Sequence, residues 1–152
     1  MILFLVFLPL SGFCWLVTIL GFASKYLNKK YRLEAETDTE TLLNGLKKKG
    51  IDFLSEIEGQ FAFIANVNGE TIIGRDKYGI SPLVFGTNEI GDLVFASTSE
   101  ALEKAGVKHT KTVPAGAYGI IKDESIEIDY WFQLPRVSVE DQINLDPNNI
   151  LV

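Results

Sequence analysis

The sequence is poor in the residues that build metal clusters and catalytic triads. Its 152 residues include one cysteine, Cys14, and one histidine, His109. A single cysteine excludes an internal disulfide framework and a cysteine-based metal cluster. A single histidine removes most metal sites and Ser-His triads, and the polar stretch 108–111 around it predicts an exposed loop. We therefore expect no metal and no other cofactor.

Basic residues are also in the minority, which bears on the partners of the protein. The chain carries 14 Lys and Arg against 20 Asp and Glu, for a formal net charge of -6. A nucleic-acid-binding protein would show a basic face, so we expect no nucleic-acid partner. The length is sufficient for one domain with a sizeable core.

Charge is absent from residues 1–23, where Leu, Ile, Val, Phe and Trp dominate. At ~1.5 Å per residue, a helix of this length spans a bilayer core of ~30 Å. Lys25, Lys29 and Lys30 follow directly, and positive charge there keeps that end cytoplasmic. The run therefore predicts a membrane anchor with a cytoplasmic domain. Two other interpretations stay open: a buried core segment, and a frameshifted or misassigned start of the gene.

Local patterns predict an alternation of strands and short helices after the apolar run. Residues 29–35 alternate enough to predict a short strand. Thr37 and Glu40 are typical of a helix start, and Gly50 of its end. Asn68-Gly69 predicts a two-residue hairpin. Further helical segments are predicted over 52–57 and 99–104, and further strands over 61–67, 70–75, 83–86, 93–97, 117–121 and 125–128.

The stretch Gly74-Arg75-Asp76-Lys77-Tyr78-Gly79-Ile80-Ser81-Pro82-Leu83 lies between two of these strands. On turn chemistry alone it predicts a charged hairpin loop, since glycine and proline mark tight connections. The full string is more specific. It resembles the R-D-x-x-G-I-x-P-L signature of class II glutamine amidotransferase domains.

The resemblance extends over residues 31–132, which are similar to the glutaminase domain of asparagine synthetase. Five motifs occur in the order of that family. They are the helix start 37–40, the G-x-F-A-F strand 59–63, the signature 75–83, the turn and helix 95–102, and the P-x-G hairpin 113–116 with the aromatic close Tyr130-Trp131. The final aromatic motif, Tyr130-Trp131-Phe132, favours the asparagine synthetase branch over phosphoribosyl-pyrophosphate amidotransferase and β-lactam synthetase, which share parts of the pattern.

The resemblance implies an α+β fold, a partial αββα sandwich of the N-terminal-nucleophile hydrolase type that is preceded by the apolar segment. It also implies a chemistry in which an N-terminal cysteine thiolate attacks the amide of glutamine and the free α-amine acts as the base. An Asn and a Gly hold the oxyanion, and the ammonia passes to a second, ATP-using domain. Asp38 matches the family carboxylate that binds the α-ammonium of the substrate; the competing interpretation of Asp38 is a helix N-cap.

The chain also departs from the family pattern. Cys-Gly-Ile, R-G-P-D and N-G-E do not occur before Tyr31, and Cys14-Trp15-Leu16 does not match the start of the family. We therefore assign no catalytic residue and name Asp38 as the one substrate-binding candidate. The predicted organisation is an apolar segment (1–23), a partial amidotransferase domain (24–134) and a polar tail (135–152).

Three functional hypotheses follow from this organisation. The first is a truncated, catalytically inactive glutaminase domain of the asparagine synthetase type, without its synthetase domain. The second is a membrane-anchored interaction or regulatory module that uses the same fold. The third is an active glutamine hydrolase that supplies ammonia for asparagine synthesis. The expected partner is a chain that completes the sandwich or a synthetase-type protein, because the family has N-terminal strands in both sheets.

Overall fold

Two β-sheets lie between helical layers in the computed structural model, which describes residues 6–7, 17–20, 24–122 and 125–134. The helices are α1 (Ser24–Tyr31), α2 (Asp38–Lys49) and α3 (Ser99–Lys104), with a 3-10 helix at Gly50–Glu56. The strands are β1 (Val6–Phe7), β2 (Val17–Leu20), β3 (Gln60–Val67), β4 (Glu70–Arg75), β5 (Val84–Thr87), β6 (Leu93–Ala96), β7 (Lys111–Thr112), β8 (Ala117–Lys122) and β9 (Ser125–Tyr130).

All strand pairs of the described residues are antiparallel, and they form two sheets. The smaller sheet has the order β1-β6-β5-β7, and the larger has the order β2-β3-β4-β8-β9. The β3–β4 hairpin turns at Asn68-Gly69, where both residues have positive φ (54° and 91°). This geometry suits a primed turn, and it confirms the predicted hairpin.

The main core lies between the two sheets because successive side chains of a strand point to opposite faces. Ala62 and Ile64 of β3 face Phe95 of β6 and Phe85 of β5 in one buried cluster. The intervening residues of β3, including Phe61 and Phe63, pack on the other side of the sheet. A strand that is buried on both faces must lie inside a layered fold.

Helices cover the outer face of each sheet. Leu42 and Leu46 of α2 and Phe53 of the 3-10 helix pack against the outer face of the larger sheet. Ala101 and Leu102 of α3 pack against the outer face of the smaller sheet. The four layers therefore run helix, sheet, sheet, helix, which confirms the predicted αββα class.

The apolar run 1–23 contributes a strand to each sheet. Val6–Phe7 pairs with β6, and Val17–Leu20 pairs with β3 over four positions. No helix in the described part of the chain is long and apolar enough to cross a membrane. The described residues of the run therefore agree with the interpretation of residues 1–23 as part of the folded domain.

The predicted strand over 29–35 is wrong, because α1 occupies Ser24–Tyr31. Tertiary contacts account for the difference. Leu27 is buried in the helix-side core, and Asn28 accepts a hydrogen bond from the Thr41 hydroxyl (2.8 Å) and donates to Ala35 O (3.0 Å). These contacts with α2 and with the segment before it stabilise α1, and the local alternation of the sequence does not indicate them.

Candidate functional site

Arg75 ends β4, and its guanidinium joins two segments of backbone by donating hydrogen bonds to three carbonyl oxygens. Nε donates to Ser81 O (2.7 Å), Nη1 to Val113 O (2.6 Å) and Nη2 to Gly79 O (2.5 Å). Burial lowers the pKa of the Arg75 guanidinium, and the neighbouring Asp76 carboxylate opposes that shift. The planar fork of the guanidinium matches three carbonyls that converge at this point. Arg75 therefore fixes the loop after β4 to the turn at residues 113–116.

Asp76 is buried, with 1% of its surface exposed, and its carboxylate organises the same loop from inside. Oδ1 accepts hydrogen bonds from the backbone N–H groups of Tyr78 (3.1 Å) and Ile80 (3.0 Å). Oδ2 accepts from the N–H of Ser81 (2.9 Å). Charged acceptors form stronger hydrogen bonds with backbone donors than neutral acceptors do. The carboxylate thus satisfies three N–H groups that the sheets leave unpaired.

Two further segments attach to the backbone of this loop. Gly116 N–H donates to Asp76 O (2.8 Å), and the Trp131 indole donates to Arg75 O (3.2 Å). Gly79 has φ of +64°, and a Cβ there would lie 3.1 Å from Ala115 Cβ. Both the left-handed conformation and the close approach therefore favour glycine at this position.

The signature stretch is a connection between the two sheets, not a hairpin. β4 belongs to the larger sheet and β5 to the smaller one. The hairpin interpretation of the charged loop is therefore wrong. The Arg75 and Asp76 side chains are engaged with the backbone of the protein, so this pair acts as a structural clamp across the sandwich and is not a free ligand-binding pair.

Asp38, the predicted substrate ligand, lies at the first position of α2. Thr37 is the N-cap, because its hydroxyl accepts from Glu40 N–H (3.2 Å) while the Glu40 carboxylate accepts from Thr37 N–H (3.1 Å). The interpretation of Asp38 as N-cap is therefore wrong. Its side chain is half-buried, and no hydrogen bond or ion pair joins it to another described residue. A carboxylate in this position can accept a hydrogen bond from an ammonium group.

The other residues that the sequence singles out do not join Asp38 in one site. His109 lies in an exposed loop, as predicted, beside Lys108 and Lys111 on a groove of about 620 Å³. Cys14 lies outside the described residues. Within the described part of the chain, no cluster of His, Cys, Asp and Glu could hold a metal ion.

Sequence reasoning missed the residues that position the first turn of α2. The Asn28 carboxamide bonds the buried Thr41 hydroxyl, one turn after Thr37, and Thr41 also donates to Thr37 O (3.1 Å). These contacts fix the start of the helix that carries Asp38. A helix predicted over Ser24–Tyr31, in place of the strand, would have pointed to this contact, because that helix places Asn28 beside α2.

Comparisons with known proteins extend over the same region. Residues 20–130 match the model of a family described as glutamine amidotransferase domain. Asparagine synthetase B [glutamine-hydrolyzing] of Escherichia coli K12 is 34% identical over 113 residues, which cover 71% of this chain and 20% of that protein. Amidophosphoribosyltransferase of Rhizobium etli is 31% identical and covers 63% of this chain and 21% of that protein. The chain thus spans about a fifth of the length of these relatives.

A solved structure has the same fold. The glutamine phosphoribosylpyrophosphate amidotransferase from B. subtilis, complexed with ADP and GMP, superimposes with a TM-score of 0.61 at 26% identity. The superposition covers 75% of this chain and 28% of that chain.

Proposed function

The chain belongs to the glutamine amidotransferase domain family, of the asparagine synthetase type, and on that basis we propose that its αββα domain, with strands β1 and β2 included, is a glutaminase scaffold that does not hydrolyse glutamine by itself. The observation that carries this proposal is chemical. Glutamine hydrolysis in this class needs an N-terminal cysteine with a free amine and an oxyanion site of Asn and Gly. The motifs that supply them, Cys-Gly-Ile, R-G-P-D and N-G-E, do not occur before Tyr31 in these 152 residues.

Asp38 is the substrate-binding residue of this proposal. Its half-buried carboxylate has no partner among the described residues, and it stands at the start of α2, where the Thr37–Glu40 capping box satisfies the helix end. The carboxylate is thus available to the α-ammonium of glutamine. We expect a single ion pair of this kind, without further contacts to the carboxylate and amide ends of glutamine, to bind more weakly than about 1 mM.

A partner protein would supply the missing chemistry. The match covers only 20% of the E. coli asparagine synthetase B and 28% of the B. subtilis amidotransferase, so most of each relative lies outside this kind of domain. A synthetase-type protein, or a chain that completes the sandwich, is the partner that this proposal expects. The cytoplasmic location of the domain and the anchoring of the chain through residues 1–23 stay predictions.

The test is a glutaminase assay on the purified 152-residue chain and on its Cys14→Ala variant. We expect no glutamate above the uncatalysed rate from either protein. Glutamate production that is lost in Cys14→Ala would contradict the proposal and would identify an active hydrolase.

The role of Asp38 is tested separately by NMR titration with glutamine. We expect shifts at the start of α2 that are lost in Asp38→Asn and absent with glutaramate, which lacks the α-amine. Asp52→Asn, at an exposed carboxylate of the 3-10 helix, is the matched control and should leave the shifts unchanged. Equal shifts with glutamine and glutaramate would remove Asp38 from the site.

A further inference from the structure

The outer edge of the larger sheet is β9, and its two faces differ in chemistry. β9 pairs with β8 along its length, and in the part of the chain that the structure describes no strand pairs with its other side. Ile126, Ile128 and Tyr130 share the face that points towards the smaller sheet, since Ile126 packs on the inter-sheet core. Glu127 and Asp129 lie on the opposite face and are exposed. The edge therefore presents an apolar face and an acidic face.

The backbone of β9 is oriented for pairing on its outer side. Tyr130 N–H donates to the Asp129 carboxylate (2.7 Å), a side chain beside it on the same strand. In an antiparallel pair, alternate residues direct their N–H and C=O groups to the same side. The amides of Ile128 and Ile126 therefore point outward with that of Tyr130. Outward N–H and C=O groups on an edge strand are a template for a further strand.

The smaller sheet does not cover the apolar face of this edge. Ile128 is 38% exposed and Tyr130 44% exposed. The apolar surface continues to Leu134 (56% exposed) along a cavity of about 270 Å³ that Tyr130, Phe132 and Leu134 line together with Lys77. A strand added beside β9 would bury part of this surface, which gives the association a hydrophobic contribution in addition to its backbone hydrogen bonds.

We propose that β9 binds an extended segment of another protein in which apolar and basic side chains alternate. Such a segment extends the larger sheet by one strand. Its apolar side chains pack beside Ile126, Ile128 and Tyr130, and its basic side chains lie beside Glu127 and Asp129. Cross-strand pairs of opposite charge are favourable, and like charges directly opposite are unfavourable. Lys122 Nζ lies 3.4 Å from Glu127 Oε2 in an exposed ion pair. Such a pair is too weak to cancel the preference of β9 for basic side chains.

The segments of this chain do not have the required pattern. A second copy of β9 would place Glu127 and Asp129 against acidic side chains like themselves. The tail 135–152 has three acidic residues and one basic residue, Arg136. The run 1–23 has no charge at all. The occupant is therefore a segment of a different protein.

The experiment measures binding of two labelled synthetic peptides to the full chain by fluorescence anisotropy. One peptide alternates lysine and valine, and the other alternates glutamate and valine. We expect the basic peptide to bind about tenfold more tightly, since two cross-strand charge pairs differ in sign between the peptides. We also expect the basic peptide to slow amide hydrogen exchange at Ile126 and Ile128.

Charge reversal on β9 supplies the decisive comparison. Glu127→Lys with Asp129→Lys should invert the preference, and Glu127→Gln with Asp129→Asn should abolish it without reversing charge. Glu100→Lys with Glu103→Lys makes the same charge change on α3, on the far side of the sandwich, and should leave the preference intact. Circular dichroism confirms that each variant is folded.

Several results would overturn the proposal. One is equal affinity for the two peptides, or binding of neither. Another is an Ile128 amide that is already protected in the free chain, which would mean that a segment of the chain occupies the edge. A third is self-association that disappears in the lysine variants on β9, which would identify a second copy as the occupant.

Discussion

At the residue scale, Asp76 stabilises the sheet-to-sheet connection from inside the loop. Its carboxylate accepts three backbone N–H groups in a buried position. Asparagine has one oxygen and turns an NH₂ group towards donors, so Asp76→Asn leaves a buried N–H unpaired. We expect a loss of about 2 kcal/mol in the free energy of unfolding. Urea denaturation measures it, and the exposed Asp52→Asn change should cost less than about 0.5 kcal/mol. Equal costs for the two variants would contradict the assigned role.

Glu56 makes the free energy of unfolding depend on pH in the acid range. Hydrogen bonds from Lys30 Nζ (2.7 Å) and the Tyr31 hydroxyl (2.5 Å) lower the pKa of Glu56 to about 2. A carboxylate whose pKa is depressed in the folded state stabilises the fold above its unfolded pKa of about 4.3. That contribution is lost as the pH falls from about 4.3 towards 2, where Glu56 becomes protonated in the folded chain.

We therefore expect Glu56→Gln to flatten this part of the stability profile. Urea midpoints measured from pH 5 downward, at about 0.5-unit steps, follow the effect. Glu34→Gln, at an exposed glutamate without this contact, should keep the slope of the parent protein. Parallel profiles of the parent and Glu56→Gln would show that the contact does not contribute.

At the element scale, α2 depends on its capping box. The Thr37 hydroxyl and the Glu40 carboxylate satisfy amide groups at the helix start reciprocally. We expect Thr37→Ala to cost about 1 kcal/mol, and Thr37→Ser to cost little, since serine caps a helix as well as threonine does. The thermal unfolding midpoint reports both changes. Thr39→Ala, two residues further in the same helix, is the control; a loss as large as that of Thr37→Ala would assign the effect to something other than the cap.

Elements with strong local signals could be predicted from the sequence, and elements shaped by tertiary contacts could not. Asn68-Gly69 fixes a turn by its backbone preference, and Thr37 with Glu40 marks a helix start within four residues. In contrast, α1 is stabilised by the burial of Leu27 and by hydrogen bonds of Asn28 with residues 35 and 41. These partners lie outside the helix, so its own sequence does not indicate them. The same holds for the candidate site. The family resemblance names Asp38 as a candidate, but the sequence does not indicate the Asn28 contact that positions the start of its helix.

At the scale of the whole molecule, strand patterns do not say which sheet a strand joins. β3 is buried on both faces, so its apolar run is compatible with many layered folds. The stretch between β4 and β5 has the composition of a hairpin loop, yet Arg75 and Asp76 direct it across the sandwich to the other sheet. The αββα class was predicted from the ordered family motifs, which carry information on long-range pairing that composition and periodicity lack.

The dependence of both sheets on the apolar N-terminal run gives a prediction for the whole domain. β2 pairs with β3, and β1 pairs with β6, so deletion of residues 1–23 opens one edge in each sheet. The opened strands carry Phe63 and Phe95, which are fully buried in the chain. Burial of a phenylalanine contributes about 1.5–3 kcal/mol, and a domain has only about 5–15 kcal/mol in total. Partial exposure at two sheet edges therefore removes much of the stability.

We expect the 24–152 segment to bind an apolar dye and to lose the cooperative unfolding transition of the full chain. Dye fluorescence, sedimentation and thermal unfolding of both proteins make the comparison. A monomeric 24–152 segment that unfolds cooperatively and binds no dye would contradict the prediction. The sheets would then be stable without β1 and β2, and the apolar run would be dispensable for the fold. Loss of the transition would instead mean that the run is a structural part of the sandwich, because it supplies an edge strand to each sheet.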